Sequence, residues 1–101
     1  TRRVICRLRF SYDEDVEKVR KIMLDVARGR NEILSSPGPS VVVEDYTDSA
    51  ILITLRCWVP TEYYWDALFI LNEEIVKSLK ENGVAVTTNK LAVKVVGDNK
   101  Q

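Results

Sequence analysis

Ala50–Val59, AILITLRCWV, holds no Gly or Pro, is rich in β-branched and aromatic side chains, and is stopped by Pro60. That composition reads as a β-strand. Successive side chains of a strand point to opposite faces. Ile51, Ile53, Leu55, Cys57 and Val59 therefore share a uniformly apolar face that must meet a core. Ala50, Leu52, Thr54, Arg56 and Trp58 form a mixed face that can meet water or a partner. The pattern predicts a central strand with helices on one side.

Working outward from that strand, Tyr46–Ser49 reads as a turn and Ser40–Asp45 as a short antiparallel partner strand. Pro37-Gly38-Pro39 sets a bend before it, with Ile33 and Leu34 expected against the core. Val4–Phe10 alternates, with Val4, Cys6, Leu8 and Phe10 on one face and Ile5, Arg7 and Arg9 on the other. A helix follows, with Asp13 expected as its N-cap and Val16, Val19, Ile22, Met23, Val26 and Ala27 as its apolar stripe. Glu14–Lys18 and Glu17–Lys21 have the spacing of ion pairs on that helix, and Gly29 is expected to stop it. Beyond Pro60, Thr61 is placed to cap a second helix whose broad apolar face runs through Tyr64, Trp65, Leu68, Leu71, Asn72, Ile75, Val76 and Leu79. Trp65 is expected to anchor this helix on the sheet, and Asn72 to be a buried amide bonded to backbone groups of a loop. Gly83 ends the helix, Val84–Thr87 reads as a fourth strand and Leu91–Val96 as a fifth.

The order is β-α-β-β-α-β with one strand to spare. It predicts an α+β, ferredoxin-like sandwich, two helices on one face of a four-stranded sheet. The fifth strand has no place in that sheet and is too apolar to hang in water. Ile70 and Tyr63 lie nearly opposite the core stripe of the second helix, and with the orphan strand they hint at a subunit contact.

At 101 residues the chain is one domain, able to bury roughly 60–65% of the surface its unfolded form exposes. Fifteen basic and fifteen acidic residues cancel, so no global charge draws it to nucleic acid or anionic lipid. No apolar run approaches the roughly 18 residues of a membrane helix. The opening Thr1-Arg2-Arg3-Val4 reads as a domain cut from a longer protein. Cys6 and Cys57 sit on the core faces of their strands and read as buried free thiols, a disulfide being the alternative.

Histidine is absent, and there is no Gly-rich phosphate loop, nucleophile elbow or metal-spaced cluster. No catalytic, metal or cofactor-binding residue is expected, and no enzyme. The same strand order occurs in RNA-recognition domains, which stack bases on exposed aromatics. Here those faces offer arginines and Trp58, without the glycine–aromatic run such domains carry, so no nucleic acid partner is expected.

The runs FSYDEDVEKVRKIM, ILSSPGPSVVVEDYTDSAILITLRCWV and YYWDALFILNEEIVKSLKENGV together resemble the C-terminal α/β domain of the small-conductance mechanosensitive channel (MscS) family. The resemblance rests on Tyr12-Asp13, Pro37 and Pro39, Asp48-Ser49, Arg56-Cys57-Trp58, Tyr64-Trp65-Asp66 and Leu71-Asn72-Glu73 in that order. Leu68, Phe69 and Ile70 stand where the family often has arginines, and Thr87–Lys90 stands where it often has Pro-Phe-Pro-Gln.

The resemblance implies a cytoplasmic vestibule domain of a mechanosensitive ion channel at the cell membrane, attached through a transmembrane part upstream. It implies a homo-oligomer, heptameric in the best-known members, with ions and osmolytes passing between subunits. Residues 1–88 would form the vestibule domain. Residues 89–101 would carry the strand that joins its counterparts in a parallel β-barrel, with Leu91, Val93 and Val95 on one side. The alternative is a free-standing ferredoxin-like ligand-binding or regulatory module.

Overall fold

The computed structural model describes residues 1–86. β1 (Arg2–Phe10), β2 (Ser40–Tyr46) and β3 (Ile51–Val59) form one sheet in the order β1-β3-β2. β3 is antiparallel to both neighbours. The register sets Val4 opposite Cys57, Cys6 opposite Leu55 and Leu8 opposite Ile53, while Val41 and Val43 face Leu55 and Ile53 from the other side. Apolar positions of all three strands therefore fall on one face, and α1 (Val16–Arg28) and α2 (Tyr64–Glu81) cover it. The expected α+β class and helix placement hold. The expected fourth strand is reduced among the described residues to one antiparallel bridge, Val86 to Phe10. It lies on the edge of β1 away from β3, where a ferredoxin-like sheet would place it. The fifth strand lies outside the described residues.

The start of α1 corrects the expected cap. Asp15, not Asp13, occupies the N-cap, its carboxylate accepting from the Glu17 and Lys18 N–H groups at 3.0 and 3.3 Å. Ser11–Glu14 is spent on a turn, with the Asp13 N–H on Ser11 Oγ and the Glu14 N–H on the Ser11 carbonyl. Three acids in a row offer similar first-turn chemistry, and the length of that turn selects the last. Glu14 thus lies before the helix and accepts from the Ala85 N–H at 3.4 Å instead of pairing with Lys18. Glu17 pairs with Arg20 and Lys21 with Asp25, not with each other.

The start of α2 also differs. Thr61–Tyr63 forms a 3₁₀ turn, Tyr63 occupies the N-cap, and no side chain caps the helix. The buried stripe is Ala67, Leu71, Ile75 and Leu79. The expected stripe was centred too far round: small Ala67 lets the helix approach the sheet, and Trp65 turns out to 60% exposure. Trp65 is therefore not the anchor of α2. The far end matches expectation. Gly83 adopts φ +78°, its N–H donates to the Lys80 carbonyl, and the Val84 N–H reaches back to Leu79 at 2.9 Å. This is the 6→1 and 5→2 pair of a Schellman ending, with Val84 and Leu79 both buried.

Cys6 and Cys57 are free and buried. Burial pushes the Cys6 thiol up to about 12, with Cys57 beside it adding to the shift, and pushes Cys57 up to about 11. Both thiols stay protonated in the fold after the unfolded chain has begun to ionise, so their contribution to stability is complete below about pH 9 and is lost as pH rises towards 11–12. Urea midpoints at pH 8 and pH 10.5 should therefore fall less steeply in Cys6→Ala/Cys57→Ala than in the parent; equal slopes would contradict this. Asp15→Ala should cost about 1 kcal/mol as a lost cap. Asp13→Ala should stay within about 0.5 kcal/mol, as at an ordinary surface site, both read from denaturation midpoints.

Candidate functional site

Three surfaces are built around the sandwich. Between α1 and α2 runs an open groove of about 790 Å³, with Lys18, Lys21 and Asp25 on one wall and Glu74, Lys77 and Glu81 on the other. Arg30 closes one end, its guanidinium bridging Glu32 at 3.1 Å and Glu74 at 3.0 Å. A ligand-binding module on this fold would use the groove, but its alternating charges favour no one ligand sign. Among the described residues no group of three or more His, Cys, Asp or Glu side chains is placed to hold a metal ion.

The second surface is the sheet face away from the helices. The register brings Arg3 beside Trp58, Ile5 beside Arg56, Arg7 beside Thr54 and Arg9 beside Leu52. A register shift between Val43 and Asp45 leaves Glu44 outside the pairing. Its carboxylate accepts from the Thr54 hydroxyl and from Arg7 Nε, the latter at 3.2 Å. The Thr54 hydrogen bond, with Arg7 and Arg56 assisting, holds the Glu44 carboxyl below its ordinary value against an opposing effect of desolvation. Thr54 is fully buried even though no helix of the described residues covers its face.

The third surface is the flank of α2 turned away from α1. Trp65 and Phe69, one turn apart, are 60% and 66% exposed with ring centroids 6.1 Å apart. Tyr64 meets the Trp65 ring edge-on at 5.1 Å. The Arg2 guanidinium lies 3.7 Å from the Tyr64 ring centroid, tying the start of β1 to the start of α2. What this flank offers is exposed aromatic contact area.

With the strand order, helices and surfaces in view, the sequence model described as the C-terminal region of the mechanosensitive ion channel MscS matches residues 4–86. The chain belongs to this family. An uncharacterized MscS-family protein of Synechocystis is 27% identical over 85 residues, covering 84% of this chain and 29% of that protein. The small-conductance mechanosensitive channel of Edwardsiella ictaluri is 25% identical, covering 84% of this chain and 30% of the channel. The crystal structure of Helicobacter pylori MscS in its closed state superposes with a TM-score of 0.79 at 25% identity, covering 99% of this chain and 39% of that one. The chain thus spans less than a third of the length of the curated relatives it matches.

Within this MscS-family domain the sequence-predicted residues are scattered. Trp58 is half-buried on the open sheet face, with Arg3 6.0 Å from its ring, and its carbonyl accepts from the Leu34 N–H at 2.9 Å. Asn72 corrects its expectation: it is half-buried, and its amide donates not to a loop but to the Leu68 carbonyl one turn back in its own helix at 2.8 Å. Ile70 is half-buried beside Phe69, Asp66 and Glu73. Leu91, Val93 and Val95 lie outside the described residues. Sequence reading missed Phe69 and Glu44. Phe69 stands one turn after Trp65 on the same flank; Glu44 follows the Val41–Val43 run directly, and only the register shift reveals its role.

Because Trp65 is exposed, Trp65→Ala should change the folding free energy by less than about 1 kcal/mol. Leu71→Ala, in the fully buried stripe, should cost about 2–5 kcal/mol. Equal losses in urea denaturation would return Trp65 to the core.

Proposed function

We propose that the chain is the cytoplasmic vestibule domain of a mechanosensitive ion channel, a non-enzymatic unit that shapes a chamber below the pore at the cell membrane. The observation that carries this reading is the family match, which runs across both helices and all three strands. Among the described residues no helix is long and apolar enough to cross a membrane. The pore and tension sensor of this reading therefore belong to other parts of such a channel.

In this reading copies of the domain stand around one axis as a homo-oligomer, a heptamer, and ions and osmolytes pass between them. Residues 1–88 form the wall. Residues 89–101 carry a strand, Leu91–Val96, that pairs in parallel with its counterparts. The apolar run LAVKVV, surplus to a four-stranded sheet in the sequence order, supports the proposal physically, because a short apolar strand satisfies its backbone groups by joining others. Lys94 then faces solvent or a carbonyl partner, since an unpaired buried ammonium is too costly.

The test is a graft of residues 1–101 in place of the corresponding domain of the Edwardsiella ictaluri channel, expressed in a bacterium without mechanosensitive channels. Survival of an osmotic downshock should be restored. A graft that reaches the membrane in normal amount and gives neither survival nor tension-gated current in patches would contradict the reading.

A further inference from the structure

Among the described residues, two surfaces without a partner lie on opposite sides of the sandwich, and their unpaired charges are of opposite sign. The α2 flank presents Trp65 and Phe69, with Asp66 and Glu73 beside Phe69 and the charge of nearby Arg30 already taken by Glu32 and Glu74. The open sheet face presents Arg3, Arg7, Arg9 and Arg56 among Ile5, Leu52 and Trp58, with Glu44 already held by Thr54 and Arg7. Asp66, Glu73 and Arg9 make no ion pair among the described residues. We propose that copies of this chain associate front to back, the aromatic, acidic flank of α2 on one copy seating on the arginine-lined sheet face of the next.

The chemistry favours this pairing over the others. Two α2 flanks meeting across a two-fold axis would set Asp66 and Glu73 against their own copies, and two sheet faces would set arginines against arginines. Front to back, each carboxylate meets a guanidinium and each exposed ring meets an arginine or an aliphatic side chain. Arginine stacks on aromatic faces, as Arg2 already does on Tyr64 at 3.7 Å. Exposed aromatics and arginines are also the residues that dominate contact energies. The whole chain is neutral, so the attraction comes from segregation of charge between faces and not from net charge. A front-to-back contact is heterologous and closes into a ring when its rotation divides the circle. The proposal rests on the homo-oligomer reading and names the surfaces that would make it.

Sedimentation equilibrium of the full chain over a wide concentration range tests it, with Arg9→Glu, Glu73→Arg and the double variant as probes. Both positions are exposed, so the circular dichroism spectrum and denaturation midpoint should not change. The parent chain should self-associate, each single reversal should weaken association by at least about tenfold, and the double reversal should restore it. Association that ignores both single reversals would overturn this contact and leave the ring reading standing. A parent chain that stays monomeric at every concentration would also overturn it, while the vestibule reading is decided separately by the downshock graft.

Discussion

β3 is hydrogen-bonded on both sides and apolar on one face, and those two properties constrain everything placed around it. Pairing with β1 and β2 fixes the register of both neighbours, so Val4, Cys6, Leu8 and Phe10 must fall on the same side as Ile51, Ile53, Leu55 and Cys57. A one-residue slip of either neighbour would turn its whole apolar set to the opposite face. Once the register is set, only one face of the sheet needs cover, and the two helices supply it. Arg20 ties α1 to the β2 carbonyl of Val41 at 2.6 Å, and Arg30 ties the end of α1 to Glu74 of α2. The helices are held to the sheet mainly by apolar contact and to each other partly by this charge.

One-sided cover has a consequence for function. The uncovered face keeps a polar network, Arg7–Glu44–Thr54, that could not exist beneath a helix without burying its charges. α2, set over β1, leaves its outer flank with Trp65 and Phe69 in water. Among the described residues, one-sided cover thus leaves the domain an arginine-lined sheet face and an aromatic helix flank on opposite sides of the sandwich.

The parts of this arrangement legible in the sequence are those set by strict periodicity or by one special residue. The core face of β3 is apolar at every position from Ile51 to Val59, and Gly83 adopts the positive φ that its place after an apolar helical run implied. The parts that were not legible are those where neighbouring residues compete for one role. Asp13, Glu14 and Asp15 all suit a helix start, and the turn that spends Ser11–Glu14 decides among them. Trp65 stands at the border of the apolar stripe, and the rotation of α2 that seats Ala67 on the sheet puts it outside. Thr61 has the chemistry of a cap, but the chain winds through a 3₁₀ turn before the α-helix begins. Of the surfaces, the arginines of the sheet face were visible as alternation, whereas the Trp65–Phe69 pair emerged only once the buried side of α2 was known.

Native-state amide hydrogen exchange measures the organising role of β3 most directly. Amides of Ile53, Leu55 and Cys57 should exchange only through global unfolding, with opening free energies equal to the denaturant-derived stability. Those of Asp45 and Tyr46, past the register shift in β2, should exchange through smaller local openings. Exchange at Ile53, Leu55 and Cys57 as fast as at Asp45 and Tyr46 would contradict a fold organised on this strand.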